Sequence, residues 1–162
     1  MSGDNDLTPL HVFRFHVDFL DDSLATGAEG KPVTLCSGAF SECTGLEATM
    51  EPKVIKEGGR NHGVIQRAGP VTHATLVLKR GMTSTRHLWK WFSLVSGGAY
   101  SHRLSVTLTV SDNAGKPVLV WKLRRALPIK FKAADLNARG TEVGVEELHL
   151  AHEGLSQVGV KS

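Results

Sequence analysis

Apolar and polar residues alternate with a period of two along most of this chain. Between His11 and Phe19, the residues Phe13, Phe15, Val17 and Phe19 share one parity, and Arg14, His16 and Asp18 share the other. A strand points successive side chains to opposite faces, so this is the pattern of a half-buried strand. Arg103–Ser111 is cleaner still, with Leu104, Val106, Leu108 and Val110 set against Ser105, Thr107 and Thr109. Asp112-Asn113-Ala114-Gly115-Lys116 then supplies residues that tolerate positive φ, and Leu119, Trp121 and Leu123 alternate with Lys122 and Arg124 on the return. Together these segments predict a hairpin. The same reading predicts strands at Pro32–Cys43, Leu46–Ile55, Val71–Arg80, Ile129–Lys132 and Glu142–His152. Asp21–Lys31 is turn-rich, and the Gly-rich, polar stretch 57–70 predicts a long exposed loop or hairpin tip.

One segment departs from the alternation. Leu88, Trp91, Phe92 and Val95 recur at i, i+3, i+4 and i+7, a single apolar stripe on a helix. A helix is predicted over about residues 83–95, with Thr83 or Ser84 as its N-cap and Gly97-Gly98 as its stop. Packed on a sheet, it makes Leu88, Trp91 and Phe92 core anchors beside Phe13, Phe15 and Trp121. The last predicted strand is irregular, because Val143 and Val145 share one parity while Leu148 and Leu150 share the other. Either a bulge near Glu146-Glu147 shifts the phase, or both faces are covered, one by the core and one by a neighbouring subunit. The resulting fold class is mainly β, with one flanking helix.

Composition narrows this picture. A chain of 162 residues fits a single domain, and at that size folding buries roughly 70% of the unfolded surface. Its apolar runs are too short for a membrane helix. The first residues, Met1 to Asp6, are acidic and lack the apolar stretch of a signal peptide. Residues 1–10 read as an N-terminal arm, and the sequence predicts synthesis and retention in the cytoplasm unless the protein leaves within something larger. The net charge is +3. The densest basic cluster, Lys122, Arg124, Arg125, Lys130 and Lys132, suits the solvated face of a hairpin. A nucleic-acid binder using this cluster would show a steep salt dependence.

Catalytic chemistry is not legible. Gly30-Lys31 and Gly115-Lys116 are each followed by Pro, where a phosphate-binding loop needs Ser or Thr. There is no G-x-S-x-G elbow and no H-E-x-x-H. His149 and His152, three apart, would converge on a helix but diverge on a strand, as would His11 and His16. A metal-dependent enzyme would have to gather its ligands from distant strands. Glu146 and Glu147, adjacent on a strand, point to opposite faces, which suits solvation or an inter-subunit ion pair better than shared work on a substrate. Cys36 and Cys43 lack zinc spacing and read as buried free thiols. No catalytic residue, metal site or cofactor is predicted.

The order of motifs carries a resemblance. Phe13-Arg14-Phe15 is followed by Phe40-Ser41-Glu42-Cys43-Thr44-Gly45-Leu46-Glu47, then by Glu57-Gly58-Gly59 with Asn61. Leu78-Lys79-Arg80-Gly81 precedes the Trp-bearing helix, and Trp121 precedes Ala126-Leu127-Pro128-Ile129-Lys130. Asp135-Leu136-Asn137-Ala138 then runs through Glu142-Val143 to Leu150-Ala151-His152-Glu153-Gly154-Leu155. Over roughly residues 11–155 the chain resembles the gp19-like phage tail tube family, which includes the inner tubes of extracellular contractile injection systems. Cys43-Thr44 stands where the family often has Val-Ser, and residues 21–34 form a longer connection than usual.

The resemblance implies a β-sandwich or partial barrel in a single domain. It also implies a homo-hexameric ring stacking into a tube, contractile sheath and baseplate proteins as partners, and protein cargo or DNA in the lumen. A low-copy tube-initiator or baseplate paralogue would share the fold. Glu57, Gly58, Gly59 and Asn61 resemble the family's element that reaches the adjacent ring. Asp135, Asn137, Glu142 and Glu153 are further expected interface residues, and Ser105, Thr107 and Thr109 form a candidate lumen face.

Overall fold

The computed structural model describes residues 14–21, 40–56, 58–59, 63–98 and 103–159. Its body is a sandwich held together by one long strand. Strands β8 (Leu104–Ser111) and β11 (Gly154–Val158) flank the first half of β9 (Pro117–Lys132), and β1 (Phe15–Asp21) pairs with the far side of β8. The second half of β9 pairs instead with β10 (Val145–Ala151), followed in the sheet by β7 (Leu76–Gly81) and β2 (Glu42–Thr44). All these pairings are antiparallel.

The predicted alternation in β8 is what closes the core. Leu104, Val106 and Leu108 are buried, facing Val17 and Phe19 of β1, Leu123 and Ala126 of β9, and Leu76, Leu78, Leu148 and Leu150 of the other layer. The helix α1 (His87–Ser96) lies against this core through Leu88, Trp91 and Val95. Trp91 meets Phe19 edge to face at 5.6 Å, a favoured aromatic geometry. The α1 N-terminus differs from expectation. It begins four residues after Thr83, with Arg86 at the cap position and no side-chain cap. The Thr83 and Thr85 hydroxyls bond to each other at 2.6 Å and do not cap the helix.

β9 is longer than sequence reading suggested, since Pro117–Arg124 and Ile129–Lys132 are parts of one strand. Pro128, which lacks an N–H, sits where the β9–β10 register slips between His149 and Leu150, a place where a missing donor costs little. The strand turns from one layer to the other at Arg125, whose φ is +52°.

β10 resolves the phase problem in its predecessor. Glu146, Leu148 and Leu150 share the buried face, whereas Val145 faces outward and Val143 precedes the strand. No bulge lies at Glu146-Glu147. The apparent switch arose because a charged residue occupies a core position: Glu146, 6% exposed, accepts a hydrogen bond from Nε of Arg80, 5% exposed. The expected final strand also continues past a turn into β11, which pattern reading missed.

The remaining strands leave the body as a two-stranded arm. β3 (Ala48–Met50) pairs with β6 (Val71–His73), and farther out β4 (Lys53–Ile55) pairs with β5 (Ile65–Arg67). The expected loop over 57–70 is therefore partly strand. From Met50↔Val71 to Lys53↔Arg67 the return strand uses one more residue than its partner, a bulge. Gly69 sits there, and a Cβ on it would lie 1.8 Å from the Glu51 carbonyl oxygen. At the arm's root Gly45 has φ +94°, and a Cβ would meet the Thr75 carbonyl oxygen at 2.1 Å. Both sites demand glycine.

Candidate assembly interface

Two surfaces stand out, at opposite ends of β7. At its start is the arm, whose exposed residues include Met50, Val54, Val64 and Val71. Met50 and Val71 are direct cross-strand partners. Lys53 and Arg67 are another such pair, two like charges face to face. Both are exposed, and neither has an ion-pair partner among the described residues. Gly58 and Gly59 form an open turn near the tip, with φ +92° at Gly59. Glu57 and Asn61 lie outside the described residues, as do Phe13, Cys36 and residues 1–10.

At the other end of β7, the segment 133–144 frames an open groove of about 1000 Å³ between β9 and β10. Asp135, Asn137 and Glu142 all line it. Asn137 shapes the loop: its Oδ1 accepts the Arg139 N–H at 3.0 Å and its carbonyl accepts the Gly140 N–H at 3.1 Å. Asp135 and Glu142 are exposed and have no ion-pair partner among the described residues. Beside them stand Leu136, 87% exposed, and Val143, 76% exposed, with Met82 and Val145 completing the apolar lining. Sequence reading named the acids and missed these apolar neighbours. Their signal was two large apolar residues inside an Asp-, Asn- and Gly-rich loop.

Glu153 is elsewhere, at the corner between β10 and β11. Its carboxylate accepts from Arg125 Nε at 2.6 Å and lies 3.5 Å from Arg103 Nη1. Arg103 also donates to the Arg125 carbonyl at 3.3 Å. This acid is thus engaged within its own subunit, pinning the bend at Arg125.

Ser105, Thr107 and Thr109 lie on the side of β8 away from the core, half-buried, beside Leu20, Asp18 and His16 of β1. Lys122 and Val120 of β9 flank Thr107 and Thr109 on the other side. The outer face of the second layer is different. There Glu42, Lys79, Glu147 and Lys132 occupy one register across four strands. Lys79 lies 3.4 Å from Glu42 and 4.0 Å from Glu147. The hydrogen bond from His149, then Lys79 and Lys132, hold the Glu147 carboxyl below the usual range.

Among the expected anchors, Leu88 and Trp91 are each 1% exposed, while Phe15 and Trp121 are half-buried against the core. Phe92 is only half-buried and packs on Trp89 at 5.8 Å, toward the helix's outer side. Burial pushes the Cys43 thiol up to about 11, so it stays neutral and unreactive at physiological pH. Among the described residues no group of three or more metal-ligating side chains converges. No helix among them is long and apolar enough to cross a membrane.

Comparison with known proteins fits this geometry. A chain in the structure of the anti-feeding prophage baseplate is 30% identical, with a TM-score of 0.78 over 96% of this chain and 99% of that one. A chain of the sheath–tube complex of an extracellular contractile injection system in its extended state is 17% identical, with a TM-score of 0.74 over 98% and 100%. A type six secretion system protein shares the fold more distantly, at 11% identity and a TM-score of 0.54 over 89% and 83%. No curated protein matches the chain. The family model for the T4-like virus tail tube protein gp19 matches residues 11–156. The chain therefore belongs to the T4-like tail tube gp19 family, a structural and non-enzymatic family.

Proposed function

We propose that this chain is the inner tube subunit of a contractile injection particle or phage tail, forming hexameric rings that stack around a channel. The observation that carries this reading is end-to-end similarity to a chain of a sheath–tube complex, joined to an arm and a groove that expose apolar residues among the described residues. Among the described residues no strand pairs with the outer edges of β1 and β2, and open edges are an aggregation hazard in a monomer. A closed ring removes that hazard by pairing edges between neighbours. A contractile sheath and a baseplate are the partners on this reading. The channel wall is the hydroxyl face of Ser105, Thr107 and Thr109, a wet lining that offers protein cargo or DNA little to hold. Glu57, Gly58, Gly59 and Asn61 belong to the arm that reaches the next ring.

Electron microscopy of the purified chain tests the proposal. Rings or tubes of sixfold symmetry are expected; a strictly monomeric protein at high concentration would overturn it. The 30% match to a baseplate chain supports a second reading, a low-copy tube-initiator or baseplate paralogue. Copy number per particle separates the two.

A further inference from the structure

Building on the tube reading, we propose that the arm of one subunit docks in the 133–144 groove of a second copy, Lys53 and Arg67 of the arm meeting Asp135 and Glu142 of the groove. Each surface lacks what the other holds. The arm exposes Val54 and Val64 on a ribbon with no layer beneath it among the described residues, and two-stranded ribbons are marginal in water unless covered. The groove exposes Leu136 and Val143, apolar area of the kind that marks an interaction site.

Charge points the same way. Lys53 and Arg67 are direct cross-strand partners, and like charges in that position repel. Asp135 and Glu142 are two exposed acids at the groove with no cation paired to them among the described residues. Docking would relieve the repulsion on one side and neutralise the acids on the other.

The two surfaces also lie far apart on the subunit. The arm leaves the body near Leu76 and the groove opens near Met82, at opposite ends of the six-residue β7. These ends are separated by about 17 Å of strand rise. A contact between unlike patches at opposite ends is heterologous, and where its rotation does not close a ring it leaves a free arm and a free groove after every addition. It therefore propagates in one direction, as stacking along a tube requires.

Charge swapping in the full-length chain tests this, read by electron microscopy and sedimentation at one subunit concentration. K53E/R67E and D135K/E142K should each reduce the assembled fraction about tenfold or more, since like charges now meet across the contact. A chain carrying all four substitutions should recover most of the assembly. Circular dichroism melts matching the parent show that the bodies remain folded. Normal tubes from both double variants would assign the groove to some other protein and overturn the docking while leaving the tube reading intact. Failure of the fourfold variant to recover would overturn it too. A parent chain that never assembles would overturn both readings.

Discussion

The body and the arm of this protein are built from the same kind of antiparallel strand, yet they solve opposite problems. In the body, every second residue of β8 is buried, and Trp91 and Phe19 close the space between layers. In the arm, no residue of β3 is buried and β4 and β5 each have only one half-buried residue, an isoleucine. Hydrophobic burial scales with the apolar area taken from water, about 25 cal/mol per Å², so the body carries its own stability and the arm contributes almost none. The arm persists as a ribbon through its ladder hydrogen bonds and the glycines that let Gly45 and Gly69 approach neighbouring carbonyls.

Substitutions in the two regions should differ in the size of their effect. The largest effects belong to the body: Trp91→Ala should cost about 3–5 kcal/mol in chemical denaturation. Little loss would mean that Trp91 is not an anchor. Arg80→Met leaves Glu146 buried without its cation, and a comparable cost of about 3–5 kcal/mol is expected for breaking such a pair. At the root of the arm, Gly45→Ala forces a side chain into positive φ against the Thr75 carbonyl. A loss of about 1–3 kcal/mol follows, and faster amide exchange should appear in β3 and β6 before the body. Farther out, Val54→Ser should shift monomer stability by less than about 0.5 kcal/mol, so any assembly defect there is an interface effect.

The smallest effect is one of pH. The ring of His73, on the last residue of β6, lies 5.0 Å from that of His152, at the β10–β11 corner. Burial, and to a lesser degree the His73 ring, lower the His152 pKa below its ordinary 6.5, while the carbonyl of Gly154 pulls the other way. The unfolded chain therefore binds this proton more tightly than the folded one. The associated stability is present above pH 6.5 and is lost as pH falls through 6.5 toward the folded value. His152→Gln should flatten that dependence in urea midpoints measured across the window. An unchanged slope would mean that other groups set it.

Legibility from sequence followed the same division. The β8–β9 hairpin was readable because alternation and turn chemistry agreed. Asp112 Oδ1 accepts the N–H groups of Ala114 and Lys116 at 2.9 Å each, and Gly115 takes φ +82°. The three-residue strands of the arm were merged into longer strands or hidden in a loop. They bury too little to impose a pattern, and Pro52, Gly69 and Pro70 interrupt them. Glu146 was misread because alternation assumes that buried residues are apolar, and its partner Arg80 is distant in sequence. The acids of the 133–144 groove came from resemblance alone, since a loop without secondary structure has no period to read.

The bend at Arg125 has a mechanical meaning. Two layers joined only through side-chain packing can slide past one another under force, because dispersion contacts re-form at the next register. Here β9 belongs to both layers, and its turn is pinned by Glu153 to Arg125 and Arg103. Shear between the layers must therefore stretch a covalent backbone, so a push on one layer reaches the other without slip. A particle that drives a tube lengthwise would gain a subunit that transmits thrust as a stiff body.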